Sequence, residues 1–491
     1  MKLAVLLVGG SARAQCQNPV YTAFSRCGTG DITIGGTGTC KQAYLDKSAT
    51  SGIGTITIAS GGILAISDQA AQGGIALTTK GIDIQSGGTL KIGDSACPIG
   101  QTKAADLVTL KFTGTHPADC GDVTKGPGYK QCQGYVKGIQ IESGGSLYMY
   151  GLKGVPASGD TTHTMDWTYL AQPAGPATYN MAAKVKKPAV SATKIKVAGD
   201  VTNGGTNRGW QAGDWIAVAT TSFSPWETEF VQIDTKPTFD ETTGETTINL
   251  KTTEPLVYYH FGGPDPYAAD KGAPGPNSYN ASDTTNYGVD ERAEVGLISR
   301  NIVLTSDADA APVGKQGQEG GNLHWGGETR FLQGFTAAVM QGVQLQKFGK
   351  ESIGSYPIHF HIDGDLLKAP KPTVLIDSNS IDHSYNKCVT IHSTSNLSIT
   401  NNVCARITGH IFYEEIGDEE NITFRNNVGM GAMSNSFTVN NGADLPAATL
   451  IAKYYWTGDN LNNTVPGMGN SPGKLPFDQF NVFDPDNQAI Q

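Results

Sequence analysis

Apolar residues in this chain alternate with polar ones in short, strand-length runs, and no stretch keeps a helical period. One phrase recurs in the first third. Ile58-Ala-Ser-Gly-Gly-Ile-Leu-Ala-Ile66 is followed by Ile84-Gln-Ser-Gly-Gly-Thr-Leu-Lys-Ile92 and Ile141-Glu-Ser-Gly-Gly-Ser-Leu-Tyr-Met149. Each reads as a strand, a tight turn and a second strand. They are successive hairpins or coil corners whose glycines supply φ above zero. A different texture begins near Pro173. Residues 210–219 predict a turn into a buried strand, residues 246–250 and 256–259 predict further strands, and residues 262–286 predict a long surface loop.

The second half carries its own repeat. Val374-Leu-Ile-Asp-Ser-Asn379, Leu397-Ser-Ile-Thr-Asn-Asn402 and Ile422-Thr-Phe-Arg-Asn-Asn427 align on their final Asn, at spacings of 23 and 25 residues. A strand plus an Asn at a constant place suits one coil of a parallel β-helix. Apolar side chains then point inward and the amides stack along the axis. The pattern predicts an all-β chain: a Gly-rich β domain over 15–172, a β-rich connecting region over 173–290, a right-handed parallel β-helix over 291–440, and a tail over 441–491.

Size and composition agree with a solenoid. At 491 residues the chain exceeds what one compact core fills, 62 residues are Gly and only 16% are charged. Lys2, the apolar run 3–8 and Ala12-Arg13-Ala14 read as a signal peptide over 1–14, and later apolar runs are too short to cross a bilayer. Secretion predicts disulfides among the eight cysteines, with Cys388 and Cys404 joining neighbouring coils. It also predicts glycans at the sequons of Asn280, Asn396, Asn421 and Asn462. No C-x-x-C pair occurs, which argues against a zinc ribbon or a redox motif. A net charge of −10 excludes nucleic acid as a partner. An anionic polysaccharide would need a local basic groove, and the densest basic run is Lys184, Lys186, Lys187, Lys194 and Lys196.

Histidine makes the sequence specific, because five of the nine fall between His359 and His410. In Pro357-Ile-His-Phe-His-Ile362, His359 and His361 share one strand face. A coil of about 23 residues, taken from the Asn spacing, places His361 near His383 and His392 near Glu414 and Glu415. Strand alternation puts His410, Phe412 and Glu414 on one face. His359, His361, His383, His392, His410 and Glu414 are therefore the candidate catalytic group. Crowded imidazoles stay neutral, which suits proton transfer or a divalent metal ion. The alternative is a structural ladder in which each ring bonds a carbonyl. Arg330 and Arg406 are candidate contacts for a sugar carboxylate, and Asp365 and Asp382 are candidate substrate-binding acids.

Four blocks carry a family resemblance: Glu294-Val-Gly-Leu-Ile-Ser-Arg-Asn-Ile302, Gly354-Ser-Tyr-Pro-Ile-His-Phe-His361, Asn386-Lys-Cys-Val-Thr-Ile-His392 and Gly409-His-Ile-Phe-Tyr-Glu-Glu415. They resemble the family of the cell migration-inducing and hyaluronan-binding protein, which includes a cell-surface hyaluronidase and shares modules with fibrocystin-like proteins. The Ser-Gly-Gly repeats resemble its G-eight domain. The resemblance implies a G-eight module followed by a right-handed β-helix, with cleavage or binding of hyaluronan or another extracellular polysaccharide. Cleavage by hydrolysis or elimination and non-catalytic glycan binding at a cell surface or in matrix both remain open.

Overall fold

The computed structural model describes residues 16–114, 137–157, 166–176, 191–222, 224–262, 292–307, 325–350 and 354–433. The expected signal peptide, Lys184, Lys186, Lys187, Asn280 and Asn462 lie outside them, as do Cys120 and Cys132. No α-helix occurs among the described residues.

Three parallel sheets wind around one axis, and the chain visits them in a fixed order. The first holds Gly30–Ile34, Ile53–Ile58, Gly81–Ile84, Gly138–Ile141, Glu328–Leu332, Ile358–Asp365, Val389–Ser395 and Phe412–Glu414. The second runs from Thr22–Ala23 to Thr423–Arg425, and the third from Ile75–Thr79 to Val428–Met433. This is a parallel β-helix, right-handed as parallel crossovers are. Parallel ladders give each residue a counterpart one coil away, about 4.8 Å along the axis. The interior therefore consists of columns. In the first sheet Ile58, Ile84, Ile141, Phe331, Phe360 and Ile391 stack in register. In the third, Leu77, Leu110, Leu304, Leu345, Ile381 and Cys404 do the same. All twelve are fully buried, and each Ile, Leu and Phe among them contributes roughly 1.5–3 kcal/mol of apolar burial.

The Ser-Gly-Gly phrases are coil corners between the first and second sheets, because every strand there pairs in parallel. Their two glycines do different jobs. Gly61, Gly87 and Gly144 have φ between +72° and +76°. Gly62, Gly88 and Gly145 face the carbonyl of the preceding coil, where a Cβ would come within 2.2, 2.1 and 2.6 Å. The coil therefore continues across the boundary expected between the Gly-rich block and the β-helix: Gln140 pairs with Arg330 and Leu147 with Ala338.

Between Ser146–Tyr150 and Ile302–Ser306 the chain leaves the solenoid and forms two small antiparallel sheets with their own core around Trp210. Residues 256–259, expected as a strand, form none, and the Glu229 carboxylate accepts the Val257 and Tyr258 N–H groups instead. The excursion closes on itself. Asp166 at its start and Arg300 at its end form a buried ion pair at 3.0 Å, and Arg300 also donates to the Ser378 carbonyl. Its Ala217, Ala219 and Ile298 pack on the outward-facing Val403, Ala405, Val428 and Met430 of the third sheet.

The expected asparagine ladder is present. The Asn379 side-chain amide donates to Asn402, which donates to Asn427, at 3.0 Å each. Two further ladders flank it, Asp377–Asn401–Asn426 and Asp365–Asn396–Asn421. The sequon residues Asn396 and Asn421 are thus rungs of a ladder. Replacing Asn402 by Leu removes the acceptor of both the Asn379 N–H and its amide. We expect roughly 1–3 kcal/mol lost for each orphaned donor, read as a fall in melting temperature.

Cys388 and Cys404 are bonded, as are Cys16 with Cys97 and Cys27 with Cys40. The connection differs from the expected bridge between coils. Cys388 opens the Val389–Ser395 strand and Cys404 lies in the Val403–Thr408 strand of the same coil, so the bond crosses the interior. Both side chains point into the core, and 16 residues suffice to pass two corners. A Cys388→Ser, Cys404→Ser variant should weaken this coil by about 3 kcal/mol, seen as faster hydrogen exchange across residues 388–408 than in the first coils.

Candidate functional site: a histidine wall on the first sheet

Strand alternation sends Phe360 inward and His359 and His361 outward. Register supplies the rest. His361 pairs with His392, His359 with Thr390, and Arg330 lies beside His359 on the preceding strand. Three imidazoles therefore converge, with ring centroids 4.9 Å (His359–His361), 5.1 Å (His361–His392) and 6.3 Å (His359–His392) apart. Glu415 follows the last rung, its N–H bonded to the Ile391 carbonyl. Its Oε2 lies 3.4 Å from His392 Nδ1 and 3.8 Å from His359 Nε2, while Tyr356 donates to its Oε1 at 3.0 Å.

A ring of bulky groups closes round the cluster. Tyr356 packs edge-on against His359, and the Lys387 ammonium lies over Tyr356 and Tyr413. His410 stacks on Tyr413 at 4.9 Å. On the side of the preceding coil, Glu328 and Lys350 form a fully buried pair at 2.8 Å beneath Trp325. His359 is buried, whereas His361 and His392 are half-buried.

Electrostatics favour neutral rings at His359 and His361. Burial holds His359 well below the usual imidazole range, reinforced by His361, Arg330 and His392. His361 is pulled down to about 4 by burial first, then by Arg330 and His392. Burial and then Glu415 push the Tyr356 phenol upward, so it stays a proton donor. Next along the strand a bulge follows His361, and burial there raises the Asp363 carboxyl to about 8.

A structural histidine in the same chain shows what full satisfaction looks like. Buried His260 meets the Ala219 carbonyl at 2.7 Å and Glu229 at 2.9 Å. Neither ring nitrogen of buried His359 has a hydrogen bond of good geometry, the Gly354 backbone giving only a weak contact, and Glu415 Oε2 has none.

The structure regroups the expected residues. His359, His361 and His392 come together with Arg330, and His410 joins through Tyr413. Two are elsewhere or turned away. His383 lies on the third sheet, bonded to Asp382 and packed on Phe230. The coil from His361 to its ladder partner spans 31 residues (361 to 392), lengthened by the loop after Asp365, so the 23-residue estimate pointed to the wrong histidine. Glu414 is exposed, and its neighbour Glu415 takes the carboxylate position. The four substrate-binding candidates have internal partners. Arg330 donates to Gln140 and Asp365 accepts from Asn396. Asp382 accepts from Gln344 and Gln346, and Arg406 donates to the Thr228 carbonyl. Tyr356 and Lys387 were missed, because they sit at corners where no period announces them.

Residues 32–159 match the G8 domain family and residues 324–464 match the CEMIP beta-helix family. The chain carries a G8 domain and a CEMIP β-helix. It is 31% identical over 229 residues to the mouse cell migration-inducing and hyaluronan-binding protein, a stretch covering 45% of this chain and 15% of that protein. It is 28% identical over 244 residues to the human cell surface hyaluronidase CEMIP2, covering 49% and 15%, and 33% identical over 147 residues to a zebrafish cell surface hyaluronidase, covering 29% and 11%. The chain thus spans under a fifth of the length of these relatives. In the fold, the G8 domain supplies the early coils and the CEMIP β-helix carries the histidine wall.

The buried pair beside the wall is testable. Glu328→Ala leaves the Lys350 ammonium without its carboxylate in the interior, an expected loss of about 3–5 kcal/mol. Glu328→Gln, which keeps an acceptor, should lose less, and comparing the two melting temperatures checks this.

Proposed function

We propose that this protein acts outside the cell on a hyaluronan-like polysaccharide and cleaves a glycosidic bond at the histidine wall of its CEMIP β-helix. The carrying observation is the convergence of His359, His361, His392 and Glu415 on adjacent rungs, with polar atoms that the fold leaves unbonded. Three disulfides among the described residues suit an oxidising compartment. No helix among those residues is long and apolar enough to cross a membrane. The names of the relatives, hyaluronan-binding protein and cell surface hyaluronidase, supply the substrate class.

Half-buried His361 and His392 are the groups a bound chain would meet first. The neutral imidazole of His361 can accept or relay a proton, and Glu415, steadied by Tyr356, stands 3.4 Å from His392. Hydrolysis by paired carboxylates needs two acids flanking the bond, whereas this wall offers one carboxylate among imidazoles. The proton work therefore falls to histidine.

Incubation of the full chain with high-molecular-mass hyaluronan should shorten the polymer, and His361→Ala should reduce that rate by at least about 100-fold. Ultraviolet absorbance of an unsaturated uronate would reveal elimination, and its absence with shortening would mark hydrolysis. An unchanged polymer length with folded protein overturns cleavage. Hyaluronan binding that survives His361→Ala without any cleavage would instead establish the display-and-binding role.

A further inference from the structure

We propose that His359, His361 and His392 form a binding site for a divalent transition-metal ion of the zinc class, with Glu415 as its carboxylate partner. This deepens the reading above by naming what the wall holds, but it stands on the wall's geometry and not on cleavage.

The nitrogens that the three rings offer lie within 4.8 Å of one another. Tetrahedral zinc with Zn–N bonds near 2.0–2.1 Å sets its nitrogens roughly 3.3 Å apart. Closing that gap takes side-chain movements of about 1 Å, less than a rotamer change. The backbone has already done the costly part. Two outward positions on one strand, plus the ladder partner of the second, give a triangle of imidazoles that only a parallel register produces.

The donor chemistry selects the ion. Three imidazoles and one carboxylate suit zinc and neighbouring first-row metals, whereas calcium and magnesium want oxygen ligands. Glu415 approaches His392 Nδ1 at 3.4 Å, the carboxylate–imidazole contact that fixes a metal-ligating tautomer and frees the other ring nitrogen. Tyr356 in turn anchors Glu415. The poorly bonded ring of buried His359 also finds its reason here, since a metal would take one of its nitrogens. Arg330 beside His359 opposes a cation, and Glu415 offsets it.

The test reads metal content, independently of activity. Full-length protein stripped with chelator and dialysed against Zn2+ alone should hold about one zinc per chain by elemental analysis. Its melting temperature should rise with zinc concentration, and Co2+ in place of zinc should give the intense visible bands of a tetrahedral site. The His361→Asn, His392→Asn variant should lose the zinc and the cobalt spectrum while melting like the stripped wild type. Glu415→Gln should weaken zinc binding roughly ten- to a hundredfold. Wild type with no zinc above that of the double variant, or a double variant that keeps its zinc, overturns the site. Zinc held at the wall by a protein that leaves hyaluronan uncut supports the metal site and overturns the cleavage reading instead.

Discussion

Everything in this molecule depends on parallel register from coil to coil. Each outward or inward residue has its counterpart about 4.8 Å along the axis, so like sits on like. The same constraint produces the aliphatic columns of the interior, the three asparagine ladders and the stack of Gln140, Arg330, His359 and Thr390. A one-residue slip would turn Phe360 outward and bury two histidines, exchanging core for wall. Glycine corners and amide ladders hold that register, because both require the next coil's carbonyl or amide at one fixed height.

The histidine wall draws its electrostatic character from this rigidity. His359 and His361 cannot move away from their neighbours, so burial first, with Arg330 and the adjacent imidazoles, holds both rings below the usual range. In a compact globular core such rings would be rearranged to reach carbonyls, as His260 is in the excursion. The solenoid has no such freedom: its outward face is set by the strand, and polar atoms remain available for a ligand. Among the described residues, the excursion between coils contacts another face. It packs on the third sheet, a different side of the same helix, and the Asp166–Arg300 pair clasps its two ends.

The regrouping of the expected site follows from coil length. Ladders of Asn379, Asn402 and Asn427 reveal a repeat of 23 and 25 residues, and that repeat holds for the second-sheet corner. It fails for the coil that begins at Ile358, where the loop following Asp365 lengthens the coil by several residues without disturbing the strands on either side. Loops of a solenoid can lengthen freely where they project away from the neighbouring coil. His392 therefore meets His361, and His383 is carried round to the third sheet against Phe230. The same reasoning covers the disulfide: the cysteines share a coil, so their spacing counts corners and not rungs.

Sequence alone determined the all-β class, the parallel coil with its asparagine ladder, the repeated glycine turns and the richness of histidine around His359 and His361, because period-two alternation and a repeated turn are local properties. It also marked the G8 and CEMIP β-helix regions through their motifs. Tertiary structure decided that both regions are one continuous solenoid, since the pairing of Gln140 with Arg330 crosses 190 residues of intervening chain. It likewise decided which histidines meet, and that Glu415 rather than Glu414 faces them. Those outcomes rest on loop lengths and corner geometry, which leave no period in the sequence and take effect only when the coils stack.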